Sequence, residues 1–124
     1  VMQFFRFGEE SGTRISKFDS DFIMSRVGQT DGATNIGCMH LGENGVVGYH
    51  QAVTPQLLLV VSGHGSVRND GEGYVDIGPG DAVFWEEGEW HETKSESGLT
   101  AIVIESAGLN PSLLMPVAAP RTRH

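Results

Sequence analysis

The 124-residue chain has one cysteine, few basic residues, no long apolar run and no helix-period pattern of any length. Each shortage excludes something. A single cysteine, Cys38, rules out an internal disulfide; beside Ile36, Met39 and Leu41 it reads as a small buried core residue in a reducing compartment. No neighbour in sequence would activate its thiol, so a nucleophilic role is not expected. Eight Lys and Arg against sixteen Asp and Glu leave a formal charge of -8. Such a surface repels phosphate backbones and anionic membranes, which argues against nucleic acid and membrane partners. No apolar stretch approaches the roughly 20 residues that span a bilayer. The first residues lack a basic leader followed by an apolar segment, so no signal peptide is expected and the cytoplasm is the default location. The pattern Gly-x-Ser-x-Gly is missing too, which leaves serine-hydrolase chemistry unsupported.

What is present points to strands. Seventeen glycines are spread along the chain, with short apolar runs between them, as expected of many strands joined by tight turns. Strands are predicted over 35–41, 46–52, 56–61, 74–77, 82–85 and 99–104, with a helical turn around 19–22. The runs at 56–61 and 82–85 are apolar at successive positions, so both of their faces should be covered. Asn69-Asp70-Gly71 is a hairpin signal. The expected architecture is all-β and single-domain: N-terminal strands and extension over 1–34, a barrel core over 35–106, and a docked segment with a frayed tail over 107–124.

Two histidines stand out inside this pattern, each beside glycines. His50 follows Gly45-Val46-Val47-Gly48-Tyr49, and Gln56 and Gly63 follow it at intervals of six and seven. Later come Gly78-Pro79-Gly80-Asp81 and then Glu86-Glu87-Gly88-Glu89-Trp90-His91. This spacing resembles the two motifs of the cupin superfamily, whose fold is a jelly-roll double-stranded β-helix. His50 matches the first histidine of motif one, Ala52 stands at its second, Gln56 at its glutamate and Gly63 at its closing glycine. Gly80, Gly88 and His91 match motif two, with Glu86 in place of its proline.

The resemblance implies a small molecule held in the barrel, a homodimer, and a divalent transition metal such as Fe, Mn, Ni, Zn or Cu. No organic cofactor is implied. Carried over by position, the metal ligands would be His50, Gln56 and His91. Imidazole nitrogens suit these metals, whereas a neutral amide oxygen binds weakly and adds no charge. Two functions follow as alternatives: a metal-dependent enzyme of oxygenase or isomerase type, or a metal-free module binding a sugar or carboxylate. Trp90 could wall the ligand site and Glu86 could reach it as a general base. The plain alternatives stand beside these: two histidines hydrogen-bonded in a barrel mouth, a solvated acidic turn, a rim aromatic. His40 shares a strand face with Cys38 and is expected to face solvent; His64, between two glycines, is expected to be exposed.

Overall fold

The computed structural model describes residues 1–124. Eleven strands run in chain order as β1 (Gln3–Arg6), β2 (Thr13–Ile15), β3 (Phe22–Met24), β4 (Asn35–Leu41), β5 (Gly45–Gln51), β6 (Gln56–Gly63), β7 (Gly65–Arg68), β8 (Val75–Ile77), β9 (Asp81–Trp85), β10 (Trp90–Ser95) and β11 (Leu99–Glu105). Every pairing is antiparallel. One sheet has the order β1-β9-β6-β11-β4 and the other β5-β10-β7-β8, while β2 and β3 pair only with each other. No helix is long and apolar enough to cross a membrane.

The period of two explains why β6 and β9 are apolar throughout. Leu58, Val60, Val83 and Trp85 point between the sheets, into a buried cluster with Val67, Val75, Ile77, Leu99 and Ala101. Leu57, Leu59, Ala82 and Phe84 point the other way, into a second cluster with Phe5, Leu109 and Met115. Side chains alternate across a strand, so a central strand covered on both faces needs apolar residues at every position. The residues after β11 supply that second cover.

The same C-terminal segment closes two sheet edges. Phe5 bridges to Val117, Arg6 N–H donates to the Pro116 carbonyl at 3.0 Å, and Ala118 N–H to that of Phe4 at 2.9 Å, which covers β1. Beyond it, Tyr74 and His124 exchange two backbone hydrogen bonds at 2.7 and 2.8 Å beside β8. The end of the chain is therefore anchored where composition suggested fraying. At the crossing point Asp81 is buried and accepts from Arg6 Nη1 at 3.0 Å, from Gly78 N–H at 2.8 Å and from Arg121 Nη2. Burial pushes its carboxyl up, but Arg121, the Gly78 N–H and Arg6 outweigh that and hold it below the usual carboxylate range.

Two local expectations need correction. Cys38 is exposed, not buried. It lies on β4, the last strand of its sheet, on the face opposite to the interior, where nothing covers it. The helical turn forms at Lys17–Asp19, earlier than expected, with Phe18 at φ 59 and Asp19 at φ 56.

Candidate functional site

The turns on either side of the histidines set their positions. Gly88, at φ +84, lets the turn through residues 86–89 close, with Glu89 N–H donating to the Glu86 carbonyl at 3.0 Å. Gly88 N–H then donates to the Ala52 carbonyl at 2.8 Å and Ala52 N–H to that of Glu89 at 2.9 Å. These bonds start the pairing of β10 with β5, in which His91 lies directly opposite His50. Two positions on, Thr93 pairs with Val47, so Gly48 and Tyr49 together oppose Glu92 as a β-bulge. The bulge brings Val47 and His50, three residues apart, onto the same inner face.

The two imidazoles meet with ring centroids 4.4 Å apart and planes tilted by 54°. His91 is only 1% exposed, whereas His50 faces solvent. Each Nδ1 rests on a backbone carbonyl two residues back, that of Gly48 at 2.7 Å for His50 and that of Glu89 at 3.3 Å for His91. A carbonyl only accepts, so Nδ1 carries a proton in both rings, and in the neutral ring Nε2 holds the lone pair. Burial pushes the His91 imidazole below its ordinary pKa, against the Glu89 carbonyl, and the neighbouring His50 ring adds to the lowering. His91 is thus a neutral donor of electrons.

The facing sheet contributes a row set by register. Asn35 pairs with Glu105, Glu105 with Gln56, and Gln56 with Trp85. Directly opposite residues share a face, and Leu58, Val60 and Trp85 place that face inside. Trp85 stacks on His91 across the barrel, with centroids 4.6 Å apart and 28° between planes. A polar belt therefore runs Asn35, Glu105, Gln56, Trp85, His91, His50 around one end of the interior. Its deep end is Trp85 and His91, both buried, and its open end lies between β4 and β5. Trp85 Nε1 and His91 Nε2 are buried without any hydrogen-bond partner. An unsatisfied buried group costs about 1–3 kcal/mol, so two on one pair of stacked rings call for a partner.

Of the residues named from sequence, the structure brings His50, His91 and Gln56 to this belt. It does not bring Trp90 or Glu86. Trp90 is on the opposite face of β10 from His91, stacked on Tyr49 at 5.3 Å, with the Arg68 guanidinium 4.0 Å from the Tyr49 ring. Glu86 is exposed and accepts from the Val1 amino group at 2.9 Å. Both expectations came from sequence proximity to His91, but alternation along β10 sends Trp90 the opposite way, and Glu86 lies in the turn before that strand. Sequence reasoning missed Glu105, Asn35 and Trp85, which only register places beside Gln56; the one available signal was a carboxylate ending an otherwise apolar strand. His40 is exposed on the outer face of β4, and His64 is exposed in its turn.

The donor set for a metal is partial. No group of three or more His, Cys, Asp or Glu is arranged to hold an ion. Two Nε2 lone pairs and an amide oxygen fit a divalent transition metal only if water or substrate fills its other positions. A separate cleft of about 350 Å³ lies at the other end of β10, lined by His64, Ser66, Asp76, Lys94 and His124 among others. It is chemically quieter than the belt, because Asp76 already accepts from Ser66 at 2.9 Å and contacts His124 Nε2 at 2.7 Å.

Comparison with known proteins agrees with this fold. A family model described as a cupin domain matches residues 37–106. A cupin superfamily protein from Desulfitobacterium hafniense has a similar structure, with a TM-score of 0.56 and 14% identity over 64% of this chain and 72% of that one. A cupin-like protein from Thermotoga maritima gives 0.57 and 19%, over 72% of this chain and 65% of that one. Another Thermotoga maritima structure, described as a predicted oxalate decarboxylase, gives 0.51 and 24%, over 56% of this chain and 62% of that one. At these identities the likeness is one of fold. Among curated proteins, none matches the chain.

Proposed function

The chain belongs to the cupin family, and on that premise we propose that it is a metal-dependent enzyme acting on a small molecule at the open end of the polar belt. The observation that carries this reading is the pairing of His50 with His91, each with Nδ1 tied to a carbonyl and Nε2 free. Hydrogen bonding at one ring nitrogen is how proteins aim the other at a metal. A divalent transition metal held by His50 and His91 would polarise a substrate oxygen or lower the pKa of water, in oxygenase or isomerase chemistry. The protein's own residues do the rest. Gln56 offers its amide oxygen as a third contact or binds substrate, and Glu105 supplies a carboxylate in the same row, able to accept a proton from the substrate. Trp85 keeps water from the deep side of His91.

Elemental analysis of protein purified without chelator tests the metal. We expect a substoichiometric to full equivalent that His50→Ala removes. Less than about a tenth of an equivalent, with no uptake on adding Fe, Mn, Ni, Zn or Cu, would sink the reading.

A metal-free module for a sugar or carboxylate is the second reading, and the missing third His, Cys, Asp or Glu ligand favours it. Here added metal leaves the melting temperature unchanged, while a bound sugar or carboxylate raises it and His50→Ala abolishes that rise.

A further inference from the structure

The polar belt is one layer of the interior, and register fixes the layer beside it. Two residues along each strand from Asn35, Glu105, Gln56 and Trp85 lie Gly37, Val103, Leu58 and Val83, each opposite the next. Every second side chain returns to the same face, so this layer also points inward. On the facing sheet the bulge sets Val47 in the corresponding place beside His50. Leu58 and Val83 are buried and Val103 packs on their cluster, so on the five-stranded sheet this second layer is wholly apolar.

The layer thins out at β4. A Cβ on Gly37 would meet nothing within 4 Å, and Gly37 is exposed. β4 and β5 are outer strands of different sheets, joined only by the turn at residues 42–44, so the barrel opens between them toward Asn35 and His50. At Gly37 the inner surface is bare backbone, with Val103 beside it and Val47 across the opening. The belt above it is unpaired within the protein. Its histidines bond only to backbone carbonyls through Nδ1, and Trp85 Nε1 is a buried donor without a partner. Its one acid is Glu105, and no Arg or Lys belongs to it.

We infer that the site selects an uncharged amphipathic molecule, with a hydroxyketone head in the belt and a short aliphatic body over Gly37, and that Gly37 sets the size of that body. This rests on the proposed reading that the belt holds the ligand, and it adds the ligand's class. The head follows from the groups that meet it. Glu105 accepts and Trp85 Nε1 donates, and a hydroxyl beside a carbonyl serves both, donating to the first and accepting from the second. A carboxylate only accepts, and it would meet the charge of Glu105 with no fixed cation to offset it. The body follows from the layers. Two residues along a strand rise about 6.8 Å, so about four carbons carry the molecule from the belt row to the Gly37 row. A polyol of the same length would set hydroxyls against Val103 and Val47 without partners.

The two tryptophans make this readable in 15N-labelled protein, since the Trp85 indole N–H lies in the belt and that of Trp90 on the outer face of β10. Hydroxyacetone, 1-hydroxy-2-butanone and 1-hydroxy-2-hexanone are titrated before and after one equivalent of Zn. We expect the Trp85 resonance to shift while that of Trp90 stays, with affinity rising about fourfold per added CH2. Erythrulose should bind about tenfold more weakly than 1-hydroxy-2-butanone, and 2-hydroxyhexanoate should bind more weakly than 1-hydroxy-2-hexanone in the metal-free protein. Gly37→Val should keep the melting temperature and the hydroxyacetone affinity but remove the gain with length. Val47→Thr should lower that gain without filling space, a second reading should Gly37→Val fold poorly. Affinity that is flat with length overturns the inference, as does a shift of Trp90 alone or a gain that both variants leave intact. So does erythrulose or 2-hydroxyhexanoate binding as tightly as its hydroxyketone counterpart. A length series that survives in protein unable to take up Zn supports the inference and sinks only the metal-dependent reading.

Discussion

The half of the barrel built on β6 and β9 and the half that ends in β4 and β5 obey the same alternation yet serve opposite ends. In the first, Leu57, Leu58, Val60, Val83 and Trp85 are all buried, and each face of the strand has its own cover. In the second, most of β4 and β5 is exposed, a bulge interrupts one strand, and two glycines, Gly37 and Gly48, have open space where a Cβ would stand. The belt joins the halves. Its buried end, Trp85 and His91, draws rigidity from the packed side, while His50, Asn35 and Glu105 sit where a ligand can arrive. A barrel of this size thus keeps one side dense and leaves the other as access.

Substitutions that cross this divide should behave unequally. Leu58→Ala, in the dense half, should lose about 2–5 kcal/mol in chemical denaturation, because the cavity cannot collapse between two sheets. A loss under about 1 kcal/mol would mean that the interior is less tightly packed than its burial implies. Next comes Asp81→Asn, expected to cost about 3 kcal/mol by leaving two guanidinium groups without their shared carboxylate. The same residue sets an acid limit. Its folded pKa lies below the unfolded value of about 3.9, so the unfolded chain binds the proton first. Its stabilisation is complete above that value and is lost as pH falls through the folded pKa. Denaturation curves from pH 6 down to pH 2 should show that loss in the parent and a flatter profile in Asp81→Asn.

A pair of glycines sharpens the comparison further. Gly63, at φ +80, would place a Cβ 2.2 Å from the Gly98 carbonyl oxygen, so Gly63→Ala should cost about 1–3 kcal/mol. Gly37→Ala, in the open half, should change the melting temperature little. Equal effects at the two positions would contradict the division. The smallest effect on stability is expected at the belt itself: Glu105→Gln should stay within about 0.5 kcal/mol of the parent, while ligand affinity or turnover falls about tenfold or more. A variant with intact binding and turnover would remove Glu105 from the site.

Much of the barrel was legible from residue order. The unbroken apolar runs marked β6 and β9 as double-covered strands, and the glycine spacings around His50 and His91 located the paired imidazoles. Elsewhere proximity misled. Trp90 and Glu86 are close to His91 along the chain, yet one is across the strand from it and the other lies in an exposed turn. Cys38 looked like core because its neighbours are apolar, but its strand is the last in the sheet. Glu105 went unremarked because nothing within its own strand connects it to Gln56, 49 positions earlier.

The sequence by itself determined the all-β class, six of the barrel's strands, the apolar faces of β6 and β9, and that two histidines would stand near each other at glycine-bounded turns. These are properties of alternation and backbone freedom, written within a few residues. Tertiary structure alone decided the register that lines up Asn35, Glu105, Gln56 and Trp85. It decided the bulge that sets Val47 and His50 on one face, the stack that closes the belt across two sheets, and which edges are left bare. Each of those depends on hydrogen bonds between strands far apart in the chain, and a one-residue slip in any of them would send every side chain on that strand to the other face.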